Sequence, residues 1–273
     1  MSDATSPQIQ SHNARPAAVW SSGGAAYNRI SRSIADSIEH CVLRLDPRPG
    51  ERVLDLSTGT GWTSRVVARQ GATVIGADIA SDLLAAARAT AEEQGLSIEY
   101  RIGDAEALPF ADGEFDAVVS TCGVMFATRP EAAAAELKRV VRKGGRIALT
   151  TWTFDGNLPK MFAVMRRYMP PPPTPAPPSP FEWGRPERIR ELLGDAFDLR
   201  LEPGVSYYRE PSGEAAWETF VQGYGPTKSL AASLDPEKRE TFHRDFVAFH
   251  DGFQTELGIC MPREYWLTVG TRR

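Results

Sequence analysis

The sequence predicts an α/β fold: a doubly wound parallel sheet, with a helix in front of it and a helical cap inserted late in the chain. Two observations carry that prediction. From residue 52 to residue 152, short aliphatic runs alternate with longer stretches of helical periodicity, the pattern of parallel strands joined by crossover helices. The first run opens into a glycine-bearing turn, Ser57-Thr58-Gly59-Thr60-Gly61, that leads straight into a helix, as ligand-binding junctions do in such sheets.

The elements follow in order. Residues 1–15 are polar and without periodicity, so a disordered start is expected. From Tyr27 to Leu45, Ile30, Ile34, Ile38 and Val42 recur every four residues and lay one apolar stripe on a helix. Pro47, Pro49 and Gly50 end it. Arg52–Leu56 is the first strand, and the helix after Gly61 runs to Gly71. Thr73–Asp78 is the second strand, and Ser81 or Asp82 can cap a helix ending at Gly95. Ser97–Ile102 and Phe115–Ser120 are the third and fourth strands; Glu131–Arg142 is a helix stopped by Gly144-Gly145; Arg146–Trp152 is the fifth strand.

Eight of the eleven residues from Pro170 to Pro180 are proline, which excludes a helix or a central strand and predicts a stiff surface connector or a wall over a pocket. Beyond it, Pro186–Gly194 reads as a helix, Phe197–Tyr208 as one or two strands, Glu214–Gly223 and Asp235 to about Glu256 as helices, and Arg263–Thr271 as a last strand. The Asp-Pro-Glu at 235–237 suits an N-cap followed by proline at the first helical position. The expected division is a core of residues 16–208 and 261–273, with residues 209–260 as the inserted cap.

The net charge of −4 argues against a general nucleic-acid binder, which needs a basic face to release counterions. No apolar run approaches the ~20 residues that cross a membrane, and the first residues lack the basic and then apolar pattern of a secretory leader. The three cysteines, Cys41, Cys122 and Cys260, are widely spaced and odd in number, so a reduced, cytoplasmic protein is expected rather than a disulfide framework.

Three polar positions converge at the carboxyl ends of the strands, where open α/β sheets bind ligands. The glycines of the first turn let a ligand approach the backbone and a helix N-terminus. Asp78, at the end of the second strand, stands where a carboxylate accepts from both hydroxyls of a ribose. Gly103-Asp104-Ala105 follows the third strand and brings another acid to the same edge. A nicotinamide dinucleotide fits Gly59, Gly61 and Asp78, but Ser64 falls at the third glycine position of that motif. Asp55 would also repel a pyrophosphate, whereas it suits an ammonium. A nucleoside carrying an amino-acid tail is the better match.

In these stretches the chain resembles the class I S-adenosylmethionine-dependent methyltransferases, in particular the small-molecule group that includes the ubiquinone and menaquinone biosynthesis enzymes. The resemblance rests on Val53–Gly61, Val74–Asp78, Gly103–Phe110 with Phe115–Thr121 behind it, and Glu136–Arg146. It implies a Rossmann-like seven-stranded sheet, in-line methyl transfer to a small-molecule acceptor, and S-adenosyl-L-methionine as cofactor with S-adenosyl-L-homocysteine as product. By the same resemblance Asp55 and the backbone at Ser57 and Gly59 hold the methionine moiety. Asp78 takes the ribose hydroxyls, Ile79 packs on the adenine, and Asp104 meets its amino group with the Ala105 amide beside it. Gly61 is a further cofactor-binding residue, at the end of the turn, Thr121 lies under the sulfonium, and Tyr27 covers the cofactor. One departure stands out: the family has glycine where this chain has Ser57, which fits only if the backbone there avoids glycine-only angles.

Methyl transfer from a sulfonium needs alignment and water exclusion more than a base. On the substrate side, His243 and His250 share a helix face beside the stripe Phe242, Phe246, Phe249 and Phe253. That stripe reads as core with histidine at its border, and His243 is the candidate base. Trp20, Trp183, Trp217 and Tyr224 are candidate pocket walls. Cys122 reads as a small buried thiol rather than a nucleophile, and no metal site is expected, because no pair of histidines has ligand spacing.

Overall fold

The alternation between residues 52 and 152 is the frame of the molecule. The computed structural model describes residues 9–172, 174 and 176–273. The remainder of the expected disordered start, residues 1–8, and Pro173 and Pro175 of the connector lie outside the described residues.

Among the described residues, three α-helices precede the sheet: α1 (Ala14–Ser21), α2 (Tyr27–Arg32) and α3 (Ala35–Leu45). The wound part runs β1 (Arg52–Leu56), α4 (Trp62–Ala68), β2 (Thr73–Asp78), α5 (Ser81–Glu93), β3 (Glu99–Ile102), β4 (Phe115–Thr121), α6 (Pro130–Val140) and β5 (Val141–Trp152). Then come α7 (Asn157–Arg166), α8 (Pro186–Leu193) and β6 (Phe197–Glu210). Three helices follow before the chain returns to the sheet: α9 (Gly213–Gly223), α10 (Gly225–Ser233) and α11 (Pro236–Asp251). The two-residue β7 (Gln254–Thr255) and the long β8 (Gly258–Arg272) close it.

The sheet order is β3-β2-β1-β4-β5-β8-β6, with β7 paired to β8. β1 to β5 are parallel; β8 is antiparallel to both β5 and β6. The order reverses direction between β1 and β4, which opens a crevice at the carboxyl ends of those strands. The central strands are apolar on both faces: Val53, Leu54, Val118 and Val119 are fully buried, as helix-covered parallel strands require. β8 runs backwards, so its early residues stand at the same sheet edge as the ends of β1 to β5.

Two expectations need correction. The stripe Ile30-Ile34-Ile38-Val42 is real, with Ile30, Ile38 and Val42 buried, but it spans two helices. Ser33 Oγ donates to the Ile30 carbonyl at 2.8 Å, and the Ser33 carbonyl accepts from Arg263. Serine competing for backbone groups breaks the helix at Ser33–Ile34. Residues 9–15, expected as part of a disordered start, are instead ordered. Ser11–Asn13 form a 3-10 turn, and the segment is held by polar contacts to Asp104 rather than by an apolar face.

Smaller differences concern ends. Neither Ser81 nor Asp82 caps α5; the N-terminal helix does so, since the Asp82 amide donates to Ser21 Oγ at 2.9 Å. α11 starts as its sequence predicts, with Asp235 Oδ1 accepting from the Lys238 amide at 2.9 Å and Pro236 in the first turn. It ends at Asp251 because residues 254 and 255 turn into a hairpin with β8. The described residues of 170–178 are exposed, in keeping with a surface connector. Among the described residues no helix is long and apolar enough to cross a membrane.

Candidate active site

A cleft lies over the carboxyl ends of the parallel strands, roofed by α1, α2 and α9. Its floor begins at the β1–α4 turn. Ser57, Gly59 and Gly61 all have positive φ, at 57°, 56° and 74°. Ser57 therefore adopts the left-handed backbone that its sequence position requires of glycine, at a cost of about 1 kcal/mol for a residue with a Cβ. The turn places the Gly59 amide 2.8 Å from Asp78 Oδ2, and a side chain at Gly59 would meet the Tyr27 ring.

Asp55 and Gly61 do not line the cleft. Asp55 is 1% exposed and sits beneath the turn, where its Oδ2 accepts from Thr58 Oγ1 and Ser64 Oγ, each at 2.6 Å. Burial pushes its carboxyl up to about 6, against the lowering effect of those two hydroxyls. It acts as an anchor for the turn, not as a wall of the site. Gly61 is required by packing: a Cβ there would overlap the Tyr100 hydroxyl, and at Gly76 on β2 it would come within 2.6 Å of the same ring. The Tyr100 ring thus lies across two glycines.

Asp78 and Asp104 do face the cleft. Asp78 is held from below, Oδ2 by the Gly59 amide and Oδ1 by the Ala80 amide at 2.9 Å. Burial raises its carboxyl above the usual range despite these donors. Asp104 is 2% exposed and accepts four N–H contacts: two from Asn13 Nδ2, at 3.1 and 2.9 Å, one from the Gln10 amide and one from the Glu106 amide. Beside it, His12 Nε2 lies 2.6 Å from Glu106 Oε2, and Asn13 Oδ1 accepts from Thr128 Oγ1. Ile79 and Ala105 line the cleft next to these acids.

Past the β1 turn the cleft becomes apolar. Thr121 Oγ1 is 2.7 Å from Thr63 Oγ1 at the end of β4. Cys122 follows with φ 53°, and burial pushes its thiol up to about 12, so it stays protonated and is no nucleophile. Tyr27 stacks on Tyr224 with centroids 6.3 Å apart, and Trp20 meets Tyr224 and Phe126 edge-on at 5.4 and 5.0 Å. Trp152, Leu158, Met161 and Phe220 complete this end, with one charged side chain among them, Arg263.

Sequence reasoning found the strand-end residues together with Tyr27, Trp20 and Tyr224. It missed Asn13, Ile34, Trp152, Met161 and Arg263. Arg263 had a signal: a basic residue at the cleft edge of a strand whose following residues include Tyr265, Trp266 and Leu267. The other candidates lie elsewhere. His243 pairs with Glu214 at 2.8 Å and stacks on Trp217 at 4.8 Å, in a separate surface depression with Leu234 and Pro236. His250 is fully buried among Tyr208, Phe220 and Phe246; burial holds its pKa down to about 4. Trp183 is core, and Trp217 belongs to the depression beside His243.

Comparison with known proteins bears on this arrangement. Residues 54–149 match the family model described as a methyltransferase domain. An uncharacterized protein of Mycobacterium tuberculosis is 44% identical over 188 residues, 68% of this chain and 68% of the relative. The demethylmenaquinone methyltransferase of Thermus thermophilus is 44% identical over 109 residues, 39% of this chain and 49% of the enzyme. In fold, the crystal structure of a putative methyltransferase from Bacillus halodurans superposes with a TM-score of 0.59 at 19% identity, covering 86% of this chain and 98% of the other. The strand order, the glycine turn under a strand-end acid and these matches agree, and the chain belongs to the class I S-adenosylmethionine-dependent methyltransferase family.

Proposed function

We propose that the cleft binds S-adenosylmethionine over the ends of β3, β2 and β1, and that its methyl group passes to a small molecule held over β4, β5 and β8. The observation that carries this reading is the division of the cleft along the sheet edge. Asp104, Asp78 and the Gly59 turn stand at the ends of β3, β2 and β1, while Trp152 ends β5 and Met161 and Phe220 come from α7 and α9, which pack on β8 and β6. Neighbouring strands are about 4.8 Å apart, so the two halves are wide enough for a nucleoside and a ring-sized acceptor side by side.

The polar half fits the cofactor. Asp78 has both oxygens fixed by backbone amides and keeps lone pairs for two hydroxyls. The positive-φ Gly59 leaves the backbone open beneath Tyr27. Asp104 fits with one adjustment: a carboxylate offers about four acceptor sites, and four N–H contacts already fill them, so an adenine amino group reaching it has to displace Asn13. S-adenosylmethionine would supply an electrophilic methyl on a sulfonium. The chain's own part is to orient, enclose and dry the acceptor. Tyr27, Trp20, Tyr224 and Phe126 form a close-packed aromatic roof that excludes water. No histidine lines the cleft among the described residues, and an acceptor that gives up its proton readily or arrives ionised needs none. A cytoplasmic setting belongs to the same reading, supported by three free cysteines, two of them buried.

Calorimetry of S-adenosylhomocysteine against NAD is the first test, followed by methyl transfer from labelled S-adenosylmethionine to a panel of small acceptors. Binding of the first ligand and not of the second, with transfer to at least one acceptor, is the expected result. Binding of NAD alone would overturn the reading.

A further inference from the structure

Arg263 is 4% exposed, yet it is among the residues that line the cleft, beside the apolar side chains Trp152, Leu158 and Met161. Its hydrogen bonds go to neutral groups: Nη1 to Ser33 Oγ at 3.2 Å, and Nη2 to Ser206 Oγ at 3.0 Å and to the Ser33 carbonyl. Three of its five N–H donors are thereby used, and buried Nε has no partner. It forms no salt bridge among the described residues. The carboxylate connected to it, Asp36, lies beyond Ser206, whose hydroxyl it accepts at 2.7 Å while also holding the Ser37 amide. The rings of Trp152 and Tyr208 lie 5.4 and 5.2 Å from the guanidinium carbon. A buried cation without a counter-ion is costly unless something else neutralises it. The faces of Trp152 and Tyr208 offset part of that cost by cation–π attraction, and Asp36 stands one hydroxyl away, but among the described residues no carboxylate touches the guanidinium.

We infer that Arg263 determines acceptor specificity: it receives an anionic oxygen, a carboxylate or an ionised phenol or enol, on an acceptor that is otherwise flat and apolar. Resting on the methyltransferase reading, this narrows the acceptor class. The placement follows from the fold. Arg263 precedes Tyr265, which pairs with Trp152 at the end of β5, so it stands one strand beyond the last parallel strand, on the side of the cleft away from Asp78 and Asp104. The aromatic walls take the body of the acceptor, and the guanidinium takes its charge. An oxyanion held there also answers the lack of a histidine base in the cleft, because the acceptor is then bound already ionised.

The test compares matched anionic and neutral probes by calorimetry: 1-naphthoate against 1-naphthamide, and 4-nitrophenolate at pH 8.5 against 4-nitroanisole. Wild-type protein is titrated both with and without saturating S-adenosylhomocysteine. At least one anion is expected to bind about tenfold or more tighter than its neutral partner, the range of a charge-assisted hydrogen bond, and the pair that discriminates identifies carboxylate or phenolate. In Arg263→Met the preference is expected to fall to within about threefold, with S-adenosylhomocysteine affinity retained. If that variant does not fold, Arg263→Lys, which keeps the charge, serves instead and is expected to retain the sign of the preference. Equal binding of both members of both pairs to the wild type, or a preference that survives Arg263→Met, overturns the inference. Failure to bind S-adenosylhomocysteine is a separate result and refutes the cofactor reading, because the probe titrations without it stand alone.

Discussion

Replacing Asp78 with alanine removes the acceptor assigned to the ribose, and the structure sets the size of the effect. The carboxylate is 8% exposed and carries one backbone amide on each oxygen. Each hydroxyl–carboxylate bond is charge-assisted and worth about 1.5–3 kcal/mol. The carboxylate is already shared with two amides, and binding displaces water, so the net effect falls below the full sum of about 3–6 kcal/mol, at about 2–4 kcal/mol. That predicts a loss of S-adenosylhomocysteine affinity of about 30- to 700-fold. The same change leaves the Gly59 and Ala80 amides without acceptors, at about 1–3 kcal/mol of stability for each that stays dry, so affinity and folding have to be read separately. A ligand comparison does this. Calorimetry with S-adenosylhomocysteine and its 2′-deoxyribose analogue gives the wild type a clear preference for the full ribose, and Asp78→Ala removes that preference. A folded Asp78→Ala protein that binds S-adenosylhomocysteine within about threefold of wild type would refute the ribose assignment.

Asp55→Asn tests the anchor role of that carboxyl. Its raised pKa means the folded state holds the proton more tightly than the unfolded one, so stability falls as pH rises from the unfolded value of 3.8 through about 6; a two-unit shift corresponds to roughly 3 kcal/mol. The variant should flatten that limb of a pH series of denaturant unfolding, and its S-adenosylhomocysteine affinity should change little. A large loss of affinity would mean that the carboxylate contacts the ligand after all. Gly61→Ala, at φ 74° and against Tyr100, is expected to lower stability by about 2–4 kcal/mol, and Tyr100→Phe in the same chain should restore part of it; independent, additive effects in a double-mutant cycle would count against the packing account. His243→Gln should leave methyl transfer and its pH profile unchanged and stability within about 0.5 kcal/mol, because the ring pairs with Glu214 away from the cleft. A lost basic limb in its rate profile would return histidine to the mechanism.

The legible parts of this chain were those where one local rule decides the outcome. Aliphatic runs bounded by glycine marked the parallel strands, and Asp235-Pro236 marked the start of α11. The strand-end acids Asp78 and Asp104 were visible because strand ends and ligands meet at one edge. Three helices escaped, and each carries a proline near its start: Pro16 in α1, Pro159 in α7 and Pro226 in α10. Proline breaks a helix only where its missing N–H is needed, and the first turn has no partner for that N–H. The break at Ser33 was hidden for the opposite reason. The four-residue spacing of isoleucines continues across it, and the group that secures the break, Arg263, lies 230 residues away. Asp55 was placed by its strand position, but whether such an acid opens to the cleft or anchors the turn depends on Thr58 and Ser64, whose rotamers sequence does not specify. Gly61 reads in sequence as a cofactor-binding glycine, but it lies off the cleft, and the ring that demands it, Tyr100, is on another strand.

The cap and the sheet share one continuous apolar core. Phe242, Phe246, Phe220 and Tyr224 belong to the same cluster as Val53, Val118 and Ile147. Phe220 and Tyr224 also line the cleft, so the walls proposed to hold the acceptor are at the same time structural members of the domain. Truncating such a ring costs about 3–5 kcal/mol, out of the 5–15 kcal/mol that holds an ordinary domain together. Divergence toward new acceptors is therefore constrained in its route. Shape-conserving exchanges such as Tyr224→Phe or Met161→Leu are open to a drifting lineage. Enlarging the chamber first requires reserves elsewhere in the fold, so selectivity and robustness in this scaffold must evolve together.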